Sequence, residues 1–224
     1  ETAADRLRRA FLDEYFTPGG RLCVDTQTAH VLSLAFRLYR TREAVSDGLA
    51  RRLARDLWVM KTGFLGTPFL LPVLFDCGMD DAAYRILFRR TPPGWLYELD
   101  MGATTFWEDF NLDWMNNAGR IDEVVPEGKI DIHGDYGAYC YIRFRHSLCH
   151  GWASGPCPYL SNYVLGIRNL APGKYEVKPE LAGLEWAKGT YPTPKGALSV
   201  WAFRNEKGET VVEIDAPAGI EIVR

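Results

Sequence analysis

Val45-Ser46-Asp47-Gly48-Leu49-Ala50-Arg51-Arg52-Leu53-Ala54-Arg55-Asp56-Leu57 carries an apolar residue every four positions, at Val45, Leu49, Leu53 and Leu57, while Arg51, Arg52 and Arg55 fall on the other side. That spacing predicts an amphipathic helix that continues to about Lys61-Thr62-Gly63. The same texture extends to both sides. Leu7, Ala10, Phe11 and Tyr15 sit at helical spacing before the turn signal Pro18-Gly19-Gly20, and a second helix is expected from about Thr26 to Tyr39. Phe69 to Phe75 is apolar nearly all round and reads as a buried helix, Ala82 to Arg90 as a short one, and Gly155 to Leu165 as the last. About six helices joined by short loops form a serial hairpin pattern.

After Gly166 the texture changes to short β-type runs separated by Pro and Gly: Lys174–Pro179, Leu184–Thr190, Leu198–Arg204, Thr210–Asp215 and Ile220–Val223. Asn205-Glu206-Lys207-Gly208 reads as a hairpin loop. The expected fold class is α+β and multidomain, with a helical unit over residues 1–166 and a small antiparallel β-sandwich-like unit over 167–224. Between Trp95 and Cys149 periodicity is poor and Gly frequent, which predicts long loops.

Composition narrows the function classes. The 224 residues are 47% hydrophobic and 25% charged, enough apolar material for a core and unlike a disordered or collagen-like chain. With 26 Lys and Arg against 29 Asp and Glu there is no basic excess to hold a nucleic acid. The most apolar run, Phe64 to Phe75, is interrupted by Gly66, Pro68 and Pro72 and is too short for a membrane span. The chain starts Glu1-Thr2-Ala3-Ala4, so it offers no sign of compartment.

Five cysteines, Cys23, Cys77, Cys140, Cys149 and Cys157, include no CxxC pair, which argues against a zinc ribbon or a thioredoxin-like motif. They read as free, mostly buried thiols, with a Cys149–Cys157 bridge as the alternative. His30, His133, His146 and His150 lack the spacing of a zinc set, and neither an EF-hand nor a phosphate-binding loop is present. No metal and no cofactor are expected.

Acid is concentrated in the middle of the chain: residues 91–135 hold ten acidic and two basic side chains, interleaved with Trp95, Trp107 and Trp114. Aromatic rings beside carboxylates suit an amphipathic polar ligand such as a sugar. Gly102-Ala103-Thr104-Thr105-Phe106-Trp107-Glu108 and Ser147-Leu148-Cys149-His150-Gly151-Trp152 are the segments with chemical potential. Glu108 beside Trp107 suits general acid or base work on a sugar. The residues alone leave open whether Glu108 is that or an exposed loop carboxylate, and whether His150 is catalytic or structural.

Five segments in order, Asp25-Thr26-Gln27-Thr28-Ala29, Lys61 through Pro68, Gly94-Trp95-Leu96-Tyr97, Gly102 through Glu108 and Ser147 through Trp152, resemble the C-terminal half of glycoside hydrolase family 78, the α-L-rhamnosidases. The tail, with Leu165-Gly166-Ile167-Arg168, Leu170 through Gly173 and Gly189 through Pro194, resembles that family's C-terminal β-domain. The resemblance implies part of an (α/α)6 barrel and an inverting, exo-acting α-L-rhamnosidase. It further implies Glu108 as general base and His150 as a ligand of bound rhamnose. Trp95 and Trp107 are the candidates for apolar contact with the sugar ring and its C6 methyl.

The family's general acid belongs to an upstream segment that these residues do not contain, so the isolated chain is expected to be inactive. Its partners are expected to be a rhamnose-containing glycoside or polysaccharide, together with the upstream half of the barrel or a second copy, and neither nucleic acid nor membrane. Glu108 and His150 stand 42 positions apart, farther than the family pattern, so 111–145 reads as an elongated loop bearing His133, Asp135, Tyr136 and Tyr139, with His146 just after it. Trp58 is expected in the core of its helix. The alternatives are an (α/α)6 glycosidase of other sugar specificity and a carbohydrate-binding remnant without activity.

Overall fold

The computed structural model describes residues 2–108, 110 and 149–224. Cys140, His133, Asp135, Tyr136, Tyr139, His146 and the expected loop over 111–145 lie outside the described residues.

Seven α-helices are found among the described residues. They are α1 (Ala3–Tyr15), α2 (Gln27–Ala35), α3 (Arg42–Arg55), α4 (Gly63–Asp76), α5 (Asp80–Leu87), α6 (Trp95–Asp100) and α7 (Pro156–Tyr159), the last running into a π-helical turn over Leu160–Val164. Helix α1 opens on a capping box: the Asp5 N–H donates to Thr2 Oγ1 at 3.2 Å and the Thr2 N–H to Asp5 Oδ2 at 3.0 Å. Helix α2 is capped by Thr26, whose hydroxyl accepts from the Ala29 N–H. It stops four residues short of Tyr39 because Arg37 takes a positive φ of 55° and the Leu38 N–H turns back to the Ser33 carbonyl at 2.8 Å.

Helix α3 keeps Val45, Leu49 and Leu53 fully buried, as the four-residue period predicts. It ends at Arg55 rather than near Lys61. Leu57 and Trp58 both adopt positive φ, 55° and 59°, and the reversal carries Leu57 out of the stripe to 74% exposure. Trp58 is therefore not in the helix; it packs half-buried on the core edge with the Arg85 guanidinium 5.4 Å over its ring.

Helix α4 begins six residues before Phe69 and includes Pro68 and Pro72. Its Leu70, Leu71, Val73 and Leu74 side chains are buried where α4 packs against α2 and α5. The stretch from Trp95, expected as loop throughout, starts with the six-residue helix α6. A helix so short offers little periodicity to read. The cysteine expectation also changes: Cys23 and Cys157 are exposed, Cys77 is half-buried, and all three are free thiols, so no Cys149–Cys157 bridge forms.

Six strands follow, β1 (Ile167–Ala171), β2 (Lys174–Val177), β3 (Trp186–Thr193), β4 (Gly196–Arg204), β5 (Thr210–Asp215) and β6 (Glu221–Val223). They form two three-stranded sheets, β1-β2-β6 and β3-β4-β5; all pairs are antiparallel except the parallel β2–β6. The Asn205–Gly208 loop joins β4 to β5, with Asn205 Oδ1 accepting from the Lys207 and Glu209 N–H groups. The sheets enclose their own core of Ile167, Tyr175, Val177, Leu198 and Val200, separate from the helical core. Gly166 forms the joint. Its φ is +66°, and a Cβ there would lie 2.0 Å from the Lys178 carbonyl, so only glycine fits.

Candidate functional site

Helix α6 ends at Asp100 with Met101 as its C-cap, and the chain then passes through Gly102, at φ +87°, toward Glu108. The buried Glu98 side chain braces this passage, its Oε2 3.5 Å from the Trp107 N–H. The second segment is joined directly to it: the His150 N–H donates to the Phe106 carbonyl at 2.7 Å. Behind them Phe110 is clasped edge-on between Trp95, at 5.5 Å, and Trp152, at 5.7 Å. The Trp95 indole N–H donates to the Ala153 carbonyl at 2.8 Å.

These ties place His150 Nδ1 3.6 Å from Glu108 Oε2. The distance is too long for a good hydrogen bond and suits an ion pair when the imidazole is protonated. The Glu108 side chain is 23% exposed and that of His150 is 40% exposed, so both are reachable from solvent. They share a cavity of about 530 Å³ that is also lined by Met60 to Phe64, with Thr67, Pro93, Phe110 and Trp152 completing the lining. Among the described lining residues Glu108 is the single carboxylate. The cavity can therefore hold a ring with one apolar face, against Phe64 and Trp152, and polar edges toward Glu108, His150 and Lys61.

Glu108 and His150 are thus brought together. Trp95 and Trp107 are 4% and 5% exposed and do not line this cavity. Trp95 instead borders a second, apolar cavity of about 270 Å³ with Leu87, Phe88 and Leu160. Of the aromatic residues that line the cavity with Glu108, both Phe64 and Trp152 were within the motif segments and Phe110 lies just beyond one, but nothing in the sequence separates a Trp that lines a cavity from one that supports it. Among the described residues no group of three His, Cys, Asp or Glu side chains is placed to hold a metal, and no helix is long and apolar enough to cross a membrane.

Helical hairpins followed by small sheets, with a carboxylate and an imidazole sharing one cavity, are the attributes of a helical-hairpin glycoside hydrolase. Residues 1–164 match the family model of the bacterial alpha-L-rhamnosidase 6 hairpin glycosidase domain, and the chain belongs to that family. An alpha-L-rhamnosidase of Streptomyces avermitilis is 42% identical over 125 residues, covering 55% of this chain and 11% of that protein. One from an Alteromonas species is 30% identical over 231 aligned positions, covering all of this chain and 23% of that protein. The crystal structure of the Streptomyces avermitilis enzyme complexed with L-rhamnose superposes with a TM-score of 0.79 at 28% identity, over 97% of this chain and 20% of that one. The native enzyme of Aspergillus terreus gives the same TM-score over 97% of this chain and 24% of that one; at 22% identity it bears on the fold alone. The chain thus spans less than a quarter of the length of these relatives.

Proposed function

We propose that the chain is the part of an α-L-rhamnosidase that carries the general base and a portion of the sugar site. The observation that carries the reading is the 3.6 Å approach of His150 to Glu108 on the wall of one aromatic-lined cavity. In this reading Glu108 takes a proton from the water that attacks the anomeric carbon of a terminal α-L-rhamnose, and the product forms with inversion. An inverting pair needs its two carboxyl groups roughly 6.5–9.5 Å apart, with the water between them. Glu108 is the single carboxylate among the described lining residues; in this reading the acid partner comes from an upstream segment, as the resemblance to the rhamnosidases implies.

His150 donates to a ring hydroxyl of the bound sugar, and its approach to Glu108 keeps the two groups on the same side of the substrate. Trp152 and Phe64 supply the apolar contact that favours a C6 methyl over a hydroxymethyl. Trp95 and Trp107 act from behind: Trp95 through Phe110 and Ala153, Trp107 through its peptide N–H beside Glu98. The helical unit over 1–166 carries the chemistry, and the β unit over 167–224 supports it. The substrate is a rhamnose-containing glycoside or polysaccharide, and the apolar side chains that α1 leaves exposed meet the rest of the barrel or a second copy.

Glu108→Gln in the full-length protein tests this. Hydrolysis of p-nitrophenyl α-L-rhamnopyranoside should fall on the order of 10²–10⁴-fold while the protein stays folded and still binds L-rhamnose. Proton NMR of the first-formed sugar should show the β-anomer. Undiminished turnover removes Glu108 from the base role, and a first-formed α-anomer removes inversion.

A further inference from the structure

We infer that Gln27 is a positioning residue for the substrate: its buried amide clamps the Val59–Lys61 segment and so sets the wall of the cavity that Met60 and Lys61 line together with Glu108 and His150. This rests on reading the cavity as the rhamnoside site.

Gln27 opens α2 and is 1% exposed. Its Nε2 donates to Asp56 Oδ2 and to the Val59 carbonyl, each at 2.8 Å, and its Oε1 accepts from the Lys61 N–H at 2.8 Å. Both amide hydrogens are used, and the oxygen takes one donor. The two backbone groups it holds flank Met60, whose side chain is buried against the cavity. The segment needs such a clamp. After the positive φ values at Leu57 and Trp58 the chain runs without helix until Gly63, and backbone groups there have no ladder to satisfy them. The next residue adds a second brace, the Thr28 hydroxyl donating to the Thr62 carbonyl.

Asp56 anchors the clamp. Its buried carboxylate is gripped by Arg52 Nε and Nη2 at 2.8 and 2.6 Å and by Lys61 Nζ at 3.1 Å. Two of the three motif segments that contribute no group to the Glu108–His150 pair, Asp25 through Ala29 and Lys61 through Pro68, are thereby one device: the first holds the second in place. The other wall is fixed independently, by the His150–Phe106 bond. Loosening Gln27 therefore moves the wall that receives the sugar and leaves the proton-transfer residue where it is. The effect belongs in KM and not in kcat.

The test is steady-state hydrolysis of p-nitrophenyl α-L-rhamnopyranoside by the full-length protein carrying Gln27→Met, which keeps the length of the side chain and removes all three bonds. KM should rise roughly tenfold with kcat within about threefold of the parent. Thr28→Val, which removes one hydroxyl from a half-buried site, should raise KM in the same direction by a smaller factor, and it decides the matter if Gln27→Met does not fold. A folded variant with an unchanged KM, or one that loses kcat and kcat/KM equally, overturns the inference; so does a lower melting temperature with unchanged kinetics, the mark of a merely structural amide. A parent protein without rhamnosidase activity instead overturns the reading of the cavity, and the inference with it.

Discussion

The His150 N–H donates to the Phe106 carbonyl at 2.7 Å, joining two segments separated by more than forty residues of chain. One backbone bond thus aligns the imidazole with the carboxylate two residues beyond Phe106. The side chains it brings together are tested by substitution, and the frame around them by stability.

His150→Ala should lower kcat/KM for an aryl α-L-rhamnoside by about 10–100-fold, the loss of one hydrogen bond of roughly 1.5–3 kcal/mol to a desolvated sugar. The backbone bond to Phe106 survives the substitution, so the fold is expected to persist. Steady-state kinetics with a circular dichroism control checks it.

Trp95→Phe should cost about 1–3 kcal/mol of stability, since the Ala153 carbonyl loses its buried donor. Trp95→Ala should cost more, about 3–5 kcal/mol, because Phe110 also loses the ring it packs against. Urea denaturation of both variants measures the difference.

Gly48→Ala should destabilise although Ala is the better helix former by about 1 kcal/mol. A Cβ at position 48 would meet His30 Cε1 at 2.5 Å, and the His30 ring is buried. Overpacking of this kind costs about 1–3 kcal/mol. In a His30→Ala background the sign should reverse, which a double-mutant cycle by thermal melting detects.

His30 should also make stability depend on pH. Burial lowers its pKa below the ordinary 6.5, opposed by the Asp25 carboxylate and assisted by Arg51 and Arg52. As pH falls through 6.5 the unfolded chain takes up a proton that the folded chain refuses. Its contribution is therefore full above 6.5 and lost progressively as pH falls toward the folded value. His30→Gln should flatten this part of the stability curve in a pH series of urea titrations.

Gly166→Ala should cost about 3 kcal/mol or more, combining left-handed strain with a clash against the Lys178 carbonyl. If the joint is as tight as its geometry, the variant shows a clear drop in melting temperature by calorimetry.

Much of this architecture is legible in the residues themselves. The four-residue period of Val45, Leu49 and Leu53 is a buried stripe, the regular elements after Gly166 are strands, and Asn205–Gly208 is a hairpin loop. What misled the reading was local. Leu57 continues the period but not the helix, since the chain reverses at Leu57 and Trp58, and helix α6 is too short to reveal a period. The resemblance of five ordered segments pointed to Glu108 and His150. It did not separate Trp152, which faces the cavity, from Trp95, which supports it, because both are aromatic residues in motif segments of similar polarity.

By itself the sequence determined most of the elements, their order and the chemical types available near Glu108, because periodicity and turn residues act over one or two turns of chain; the short α6 and β1 escaped it. Which aromatic ring meets a ligand, how near an imidazole comes to a carboxylate, and that Gln27 holds Lys61 were decided only in the tertiary structure. Each depends on hydrogen bonds and packing between residues 34 to more than 50 positions apart, such as Gln27 with Lys61 and Trp95 with Ala153, which no local pattern encodes.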